Sequence, residues 1–454
     1  MVLGLLASCG QGVRQVQSTP TVRTLLEPVM EAHVSKTPIF LQSQSNDCHS
    51  QFTADTSLDY SLNLLLGGIQ TRELRNFSGI ITGDGELKGD GSIITSTTYG
   101  LYLEKTIDLN TGKYSKPHIR HTEAKPVKVC SDQFEYDSKS VESAGLNAAY
   151  VISKTYRNIL AAVPGLHIPP ITVSITPKIK RVTKGTFQGQ DFEDEAYETD
   201  NAFYNPNTSE ITFLPHSPSV SVKFWEIPMV GSHEYGHHIF SNIMTNLRKI
   251  YLPANRCFDN RQDFTTENLT NRKVTNFDVM MALNEGFADM ISFYTLSDSE
   301  RGVQGIDCLK INRDVNSAVF TNLEPKVFSS TVLNKFFTTD DDWVLNGESG
   351  CNNPSYKSPH IIGAIFASNA DRFMEKIGST KQQRLQVLIA WIKAMNANLP
   401  SQTNVTPQIF LEESYQTFLK VMLEKFDKTF DQTICNQIGE FYPDLKSKIA
   451  ECSN

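Results

Sequence analysis

The chain has 454 residues, 39% of them hydrophobic and 20% charged, which is enough apolar surface for a folded core and excludes wholesale disorder. Lys and Arg number 42 against 50 Asp and Glu, a formal charge of −8, and no basic run interleaves with aromatics, so no nucleic acid partner is expected. No apolar run approaches the ~20 residues that cross a bilayer, which excludes an integral membrane span from the expected elements.

In chain order, Leu6-Ala7-Ser8-Cys9 resembles a bacterial lipobox, the small-residue site at which a signal peptide is cut and the cysteine acylated. That resemblance implies a cell-envelope or secreted protein whose membrane contact is a lipid anchor at Cys9, with residues 1–37 as signal remnant and polar tether. The alternative is an ordinary N-terminus. From Thr53 to about Cys130, short apolar runs such as Ile80-Ile81-Thr82 lead into turns such as Gly83-Asp84-Gly85 and predict a β-rich segment. Leu146, Ala149, Ile152, Tyr156, Ile159 and Leu160 share one helical face, so a helix is expected over Ser143–Val163, ended by Pro164-Gly165. Strands resume at Ile171-Thr172-Val173. Asn201–Tyr204 and Glu210–Phe213, separated by Asn205-Pro206-Asn207, predict a hairpin.

Beyond Pro228 the periodicity turns helical, over Met229–Lys249, Phe277–Leu296, His360–Ile377, Lys381–Met395 and Pro407–Phe426. The expected fold class is α+β: a β-rich N-terminal lobe over 38–225 and a mainly helical lobe over 226–454. The acidic stretch Asp191–Asp200 reads equally as a solvated loop or a cation site, and tight calcium is not expected. Seven cysteines besides Cys9 are scattered without a CxxC pair, against zinc-ribbon chemistry. In an exported chain they predict disulfides, with Cys435 and Cys452 as a C-terminal staple and one thiol left over.

Chemistry concentrates in His233-Glu234-Tyr235-Gly236-His237. Histidines four residues apart lie about 40° apart around a helix and one turn up, so both rings can reach one metal. Zinc suits such a site, and Glu234, rotated about 100° from His233, can reach a metal-bound water as a general base without ligating the metal. A third ligand is available in Asn284-Glu285-Gly286-Phe287-Ala288-Asp289, where Glu285 completes a His-His-Glu set with an open fourth position. Asp289, one turn on, accepts a hydrogen bond from His233 in this reading. The bland alternative is a pair of satisfied helix histidines and an amphipathic helix with an acidic edge.

These residues resemble the gluzincin metallopeptidases, and within them the thermolysin-like branch. The resemblance implies a two-lobed fold with the zinc site in the cleft, and hydrolysis of internal peptide bonds in a peptide or protein substrate. Asn201-Ala202-Phe203-Tyr204-Asn205 is similar to the edge strand that binds substrate there, with Asn201 and Ala202 at the positions that contact substrate backbone. Ser358-Pro359-His360-Ile361-Ile362-Gly363 is similar to the segment whose histidine stabilises the oxyanion. With Ser358 as cap, His360 falls in the first helical turn, and a capping or solvated His360 is the alternative. Forty-seven residues separate His237 from Glu285, an insert carrying Arg256, Cys257 and Arg261 that is expected to reshape the cleft rim. The Gly-x-Met-Glu-Asn motif of the gluzincin aminopeptidases is absent, which favours internal cleavage. A different class of function, an envelope lipoprotein with a binding role and a silenced or non-catalytic zinc site, stands as the competitor.

Overall fold

In the computed structural model, the described residues are short strand segments between 39 and 134, then 141–169, 171–175, 178–187, 190–197, 199–206, 209–215, 224–246, 274–297, 313–318, 325–338, 358–399 and 405–453. The lipobox residues, the anticipated β-segment loops and most of the insert after His237 lie outside them.

Strand β1 (Leu101–Asp108) runs parallel to β2 (Lys178–Phe187), which pairs antiparallel with β3 (Gln190–Tyr197). The acidic stretch expected as a loop or cation site is therefore largely strand. Acidic residues disfavour strands locally, and the antiparallel register with β2, which runs from Lys180 opposite Tyr197 to Phe187 opposite Gln190, overrides that preference. A smaller sheet holds β4 (Thr172–Ile175) parallel to β6 (Glu210–Phe213), and β5 (Ala202–Asn205) antiparallel to β6 at its edge. The anticipated hairpin is present, with Tyr204 opposite Ile211.

Helix α1 (Val141–Ala162) precedes the small sheet, and α2 (Pro228–Ile243) follows it. Pro228 starts α2 at the first helical position, where its missing N–H costs nothing. The helix ends at Ile243, short of the expected Lys249, because Met244 leaves the helical region at ψ 52°. Helix α3 (Asn276–Thr295) opens with a capping box between Thr275 and Asp278. Then come α4 (Ser330–Phe337), α5 (Pro359–Lys376), α6 (Lys381–Asn398), α7 (Pro407–Lys425), α8 (Gln432–Phe441) and the single turn α9 (Pro443–Lys446). Ser358 does not cap α5: its Oγ is buried without a partner among the described residues. Pro359 sets that start instead, its fixed φ already helical.

Helix α3 is buried on all sides, from Asp278 through Thr295. Its apolar side packs Phe287 against Phe240 of α2 and Trp391 of α6, and Trp391 stacks on Phe366 of α5 with centroids 4.7 Å apart. Each such side chain contributes about 1.5–3 kcal/mol on full burial. Glycines let the helices close on one another: a Cβ on Gly236 would lie 2.7 Å from Ala288 Cα, and one on Gly363 2.5 Å from Ala282 O. This approach brings α2, α3 and α5 close enough to share one set of polar side chains. At the C-terminus, Cys435 of α8 and Cys452 form the anticipated disulfide, Cα atoms 5.2 Å apart. No described helix is long and apolar enough to cross a membrane.

Candidate metal centre and active site

His233 and His237 lie one turn apart on α2, with ring centroids 4.5 Å apart and planes at 85°. What orients this face is a seam of hydroxyls: Thr155 of α1 lies 2.9 Å from Ser232, which lies 3.1 Å from Thr295 of α3. Both threonines donate to carbonyls of their own helices, Val151 and Ile291, so the single Ser232 proton serves one of the two threonine oxygens at a time. The seam pins the residue before His233 between two neighbouring helices.

From α3, Glu285 brings Oε2 to 3.2 Å from His233 Nε2 and Oε1 to 3.6 Å from His237 Nε2. Ligands sharing a tetrahedral zinc at about 2.0–2.1 Å lie roughly 3.3 Å from one another, so these separations suit one ion. One ligand atom from each of His233, His237 and Glu285 falls within 4.8 Å of the others, and all three residues are buried. Asp289 Oδ1 sits 2.9 Å from His233 Nδ1. With the proton of His233 on Nδ1, toward that carboxylate, the Nε2 lone pair turns into the cluster. The donor set therefore fits a divalent cation such as zinc.

His360 enters from the first turn of α5, Nε2 3.3 Å from Glu285 Oε2, and is the most open of the group with 24% of its side chain exposed. Glu234 is 6% exposed, and its Oε2 has no hydrogen-bond partner among the described residues. Asn201 turns its Oδ1 back to accept from Ala202 N–H at 2.9 Å, while Ala202 lies in the edge strand β5. The structure thus brings His233, Glu234, His237, Glu285, Asp289 and His360 together on three helices, and sets Asn201 and Ala202 on the hairpin beside α2.

The sequence gives no sign of Arg313. This buried arginine places Nη2 2.9 Å from both Glu285 Oε2 and His233 Nε2, and Nε 3.1 Å from Asp289 Oδ1. Lys326 Nζ donates to the Asp314 carbonyl at 2.8 Å, and Ser368 Oγ to the Ser317 carbonyl at 3.0 Å, fixing the loop that carries it. Its charge offsets the two carboxylates. Because Nη2 sits 2.9 Å from the ring nitrogen that a metal would take from His233, metal binding requires that contact to loosen.

Burial would raise the Glu285 carboxyl, but His360, His237, a hydrogen bond with His233, and Arg313 hold it well below the usual carboxylate range. Burial pushes the Glu234 carboxyl up to about 7, the charge of His233 opposing and that of Glu285 reinforcing it. Burial and Arg313 disfavour a proton on His233, yet hydrogen bonds with Asp289 and Glu285 raise it to about 9. Burial lowers His237, His238 and His360 to about 4. Without a metal, the cluster combines the neutral imidazoles of His237 and His360 with a charged His233, a firmly ionised Glu285 and a second carboxyl, Glu234, raised to about 7.

No family model matches this chain, and no curated protein matches it. Among solved structures, the precursor of protealysin, a metalloproteinase from Serratia proteamaculans, is similar over 77% of this chain and 89% of that one, at 12% identity and a TM-score of 0.32.

Proposed function

We propose that this chain is a zinc-dependent peptidase of the thermolysin-like gluzincin type, two-lobed, hydrolysing internal peptide bonds. The observation that carries the reading is the buried convergence of His233, His237 and Glu285, with Glu234 next to the first of them. In it, His233, His237 and Glu285 hold the metal, and Asp289 fixes the ring of His233. When bound, zinc supplies a water of lowered pKa and polarisation of the scissile carbonyl.

Glu234 takes the proton from the attacking water and passes it to the departing amine, so the acyl carbon gains hydroxyl as the C–N bond breaks. His360, neutral and partly open, donates to the developing oxyanion. The edge strand β5 takes an extended peptide as a further strand, with Asn201 and Ala202 meeting its backbone. Export and lipid anchoring at Cys9 complete the proposal.

The test uses the purified chain and an internally quenched peptide library. Chelator-sensitive cleavage inside the peptides is expected, with Glu234→Gln lowering kcat about 10³-fold while zinc content stays unchanged. An active Glu234→Gln protein overturns the mechanism. A zinc-loaded chain that cleaves nothing favours the binding-protein reading.

A further inference from the structure

The helix that carries the HExxH residues has a third histidine, His238, turned away from the metal cluster. It is fully buried. Its Nε2 lies 2.7 Å from the Pro169 carbonyl, a group that only accepts, so Nε2 carries the ring proton. Nδ1 of the neutral ring is then an acceptor, and the Tyr204 hydroxyl, 3.1 Å away, donates to it. Asn242 Nδ2 braces the same ring, 3.2 Å from Nδ1, while donating to the His238 carbonyl at 2.7 Å.

Tyr204 belongs to the edge strand, and the direction of its backbone follows from one bond. The Asn201 carbonyl accepts from Leu214 N–H at 2.8 Å, so the backbone groups of residue 201 face strand β6. Strand backbone alternates every residue, so those of 202 and 204 face the open edge. The Tyr204 backbone on that edge lies beside Glu234 and helps to hold its carboxyl down against burial. The Ala202 N–H is taken by the side chain of Asn201, which leaves the Ala202 carbonyl for an incoming strand. One short edge thus holds both the general base and the backbone acceptor for a peptide.

We propose that His238 is a positioning residue: by holding the Tyr204 hydroxyl it locks strand β5 onto α2, and through the Tyr204 backbone it sets the Glu234 carboxylate in register with a peptide on that edge. This rests on the peptidase reading above. Without the hydroxyl bond, Tyr204 keeps its register opposite Ile211 but loses the side-chain hydrogen bond that ties it to the helix. The base then shifts relative to the scissile bond, a defect in orientation more than in binding.

The experiment compares zinc-loaded wild type, Tyr204→Phe, His238→Phe, His238→Gln and the Tyr204→Phe/His238→Phe double variant, recording zinc content, Tm, kcat and KM on one internally quenched peptide. Tyr204→Phe removes a single oxygen and keeps the test decisive if His238→Phe does not fold. Each Phe variant is expected to bind one zinc per chain and to lose about tenfold in kcat with KM within about twofold. The double variant should be no slower than the slower single, since both break one link. His238→Gln, which retains a donor and an acceptor, should recover at least half of the loss on a logarithmic scale. An active wild type whose Phe variants keep kcat and change only Tm overturns the proposal, as do losses that multiply in the double variant. An inactive zinc-loaded wild type overturns the peptidase reading and this proposal with it.

Discussion

Two neighbouring histidines on α2 face two different regions of the molecule. His237 and His238 are both buried, and burial lowers both to about 4. On the edge-strand side, His238 has each ring nitrogen matched to a neutral partner, Pro169 O and Tyr204 Oη. On the cluster side, His237 turns Nε2 toward Glu285 at 3.6 Å, and its Nδ1 has no hydrogen-bond partner among the described residues. Burial and a shifted pKa are common to structural and reactive histidines. What separates them is whether the lone pairs end on neutral protein groups or converge with other donors and with charge.

The sharpest way to break this comparison is to remove the charge that makes one side a site. Glu285→Ala is expected to lose zinc and reduce cleavage to background, and unchanged zinc stoichiometry would remove Glu285 from the ligand set. Next in size, Arg313→Ala takes the guanidinium away from the buried Glu285 and Asp289, at a cost of about 3–5 kcal/mol to the metal-free protein. Denaturant titration should show a smaller loss when zinc is present, because the ion supplies the missing positive charge. Equal losses with and without zinc would contradict the shared-charge account.

Away from both faces, reducing the Cys435–Cys452 disulfide, which spans 17 residues, is expected to cost about 3 kcal/mol without altering zinc content. Zinc loss on mild reduction would show that the C-terminal helices hold the site through their packing on α5. The smallest effect is in pH. His237, His238 and His360 are lowered from 6.5 to about 4, so between those values the unfolded chain binds more protons through them and stability rises with pH. Glu234, raised from 4.5 to about 7, opposes this with one group against three. His233, raised from 6.5 to about 9, loses its stabilising proton as pH rises through 9. The Tm of the metal-free protein should therefore climb from pH 4.5 to 6.5 and decline toward 9, and a monotonic profile would contradict these protonation states.

The sequence shows the helical half well, because periodicity is strong where a helix buries one face: Pro407–Phe426 was expected against an observed Pro407–Lys425. The metal-capable residues were legible for the same reason, since two ligands sit one turn apart and the third lies in a second periodic run. Arg313 was not, because it lies outside any periodic segment and meets Glu285 only through tertiary packing. The strand at Gln190–Tyr197 was hidden by its acidic composition, which local propensity reads as loop. His238 was visible as a residue and silent as a device, since its role depends on a carbonyl 69 residues and a hydroxyl 34 residues away.

The most direct test of the central claim is metal content by mass spectrometry on wild type, His237→Phe and His238→Phe. One zinc per chain in wild type and His238→Phe, with loss in His237→Phe, is the predicted result. No zinc in wild type, or equal loss in the two variants, would contradict the division of α2 into a metal-binding face and a strand-holding face.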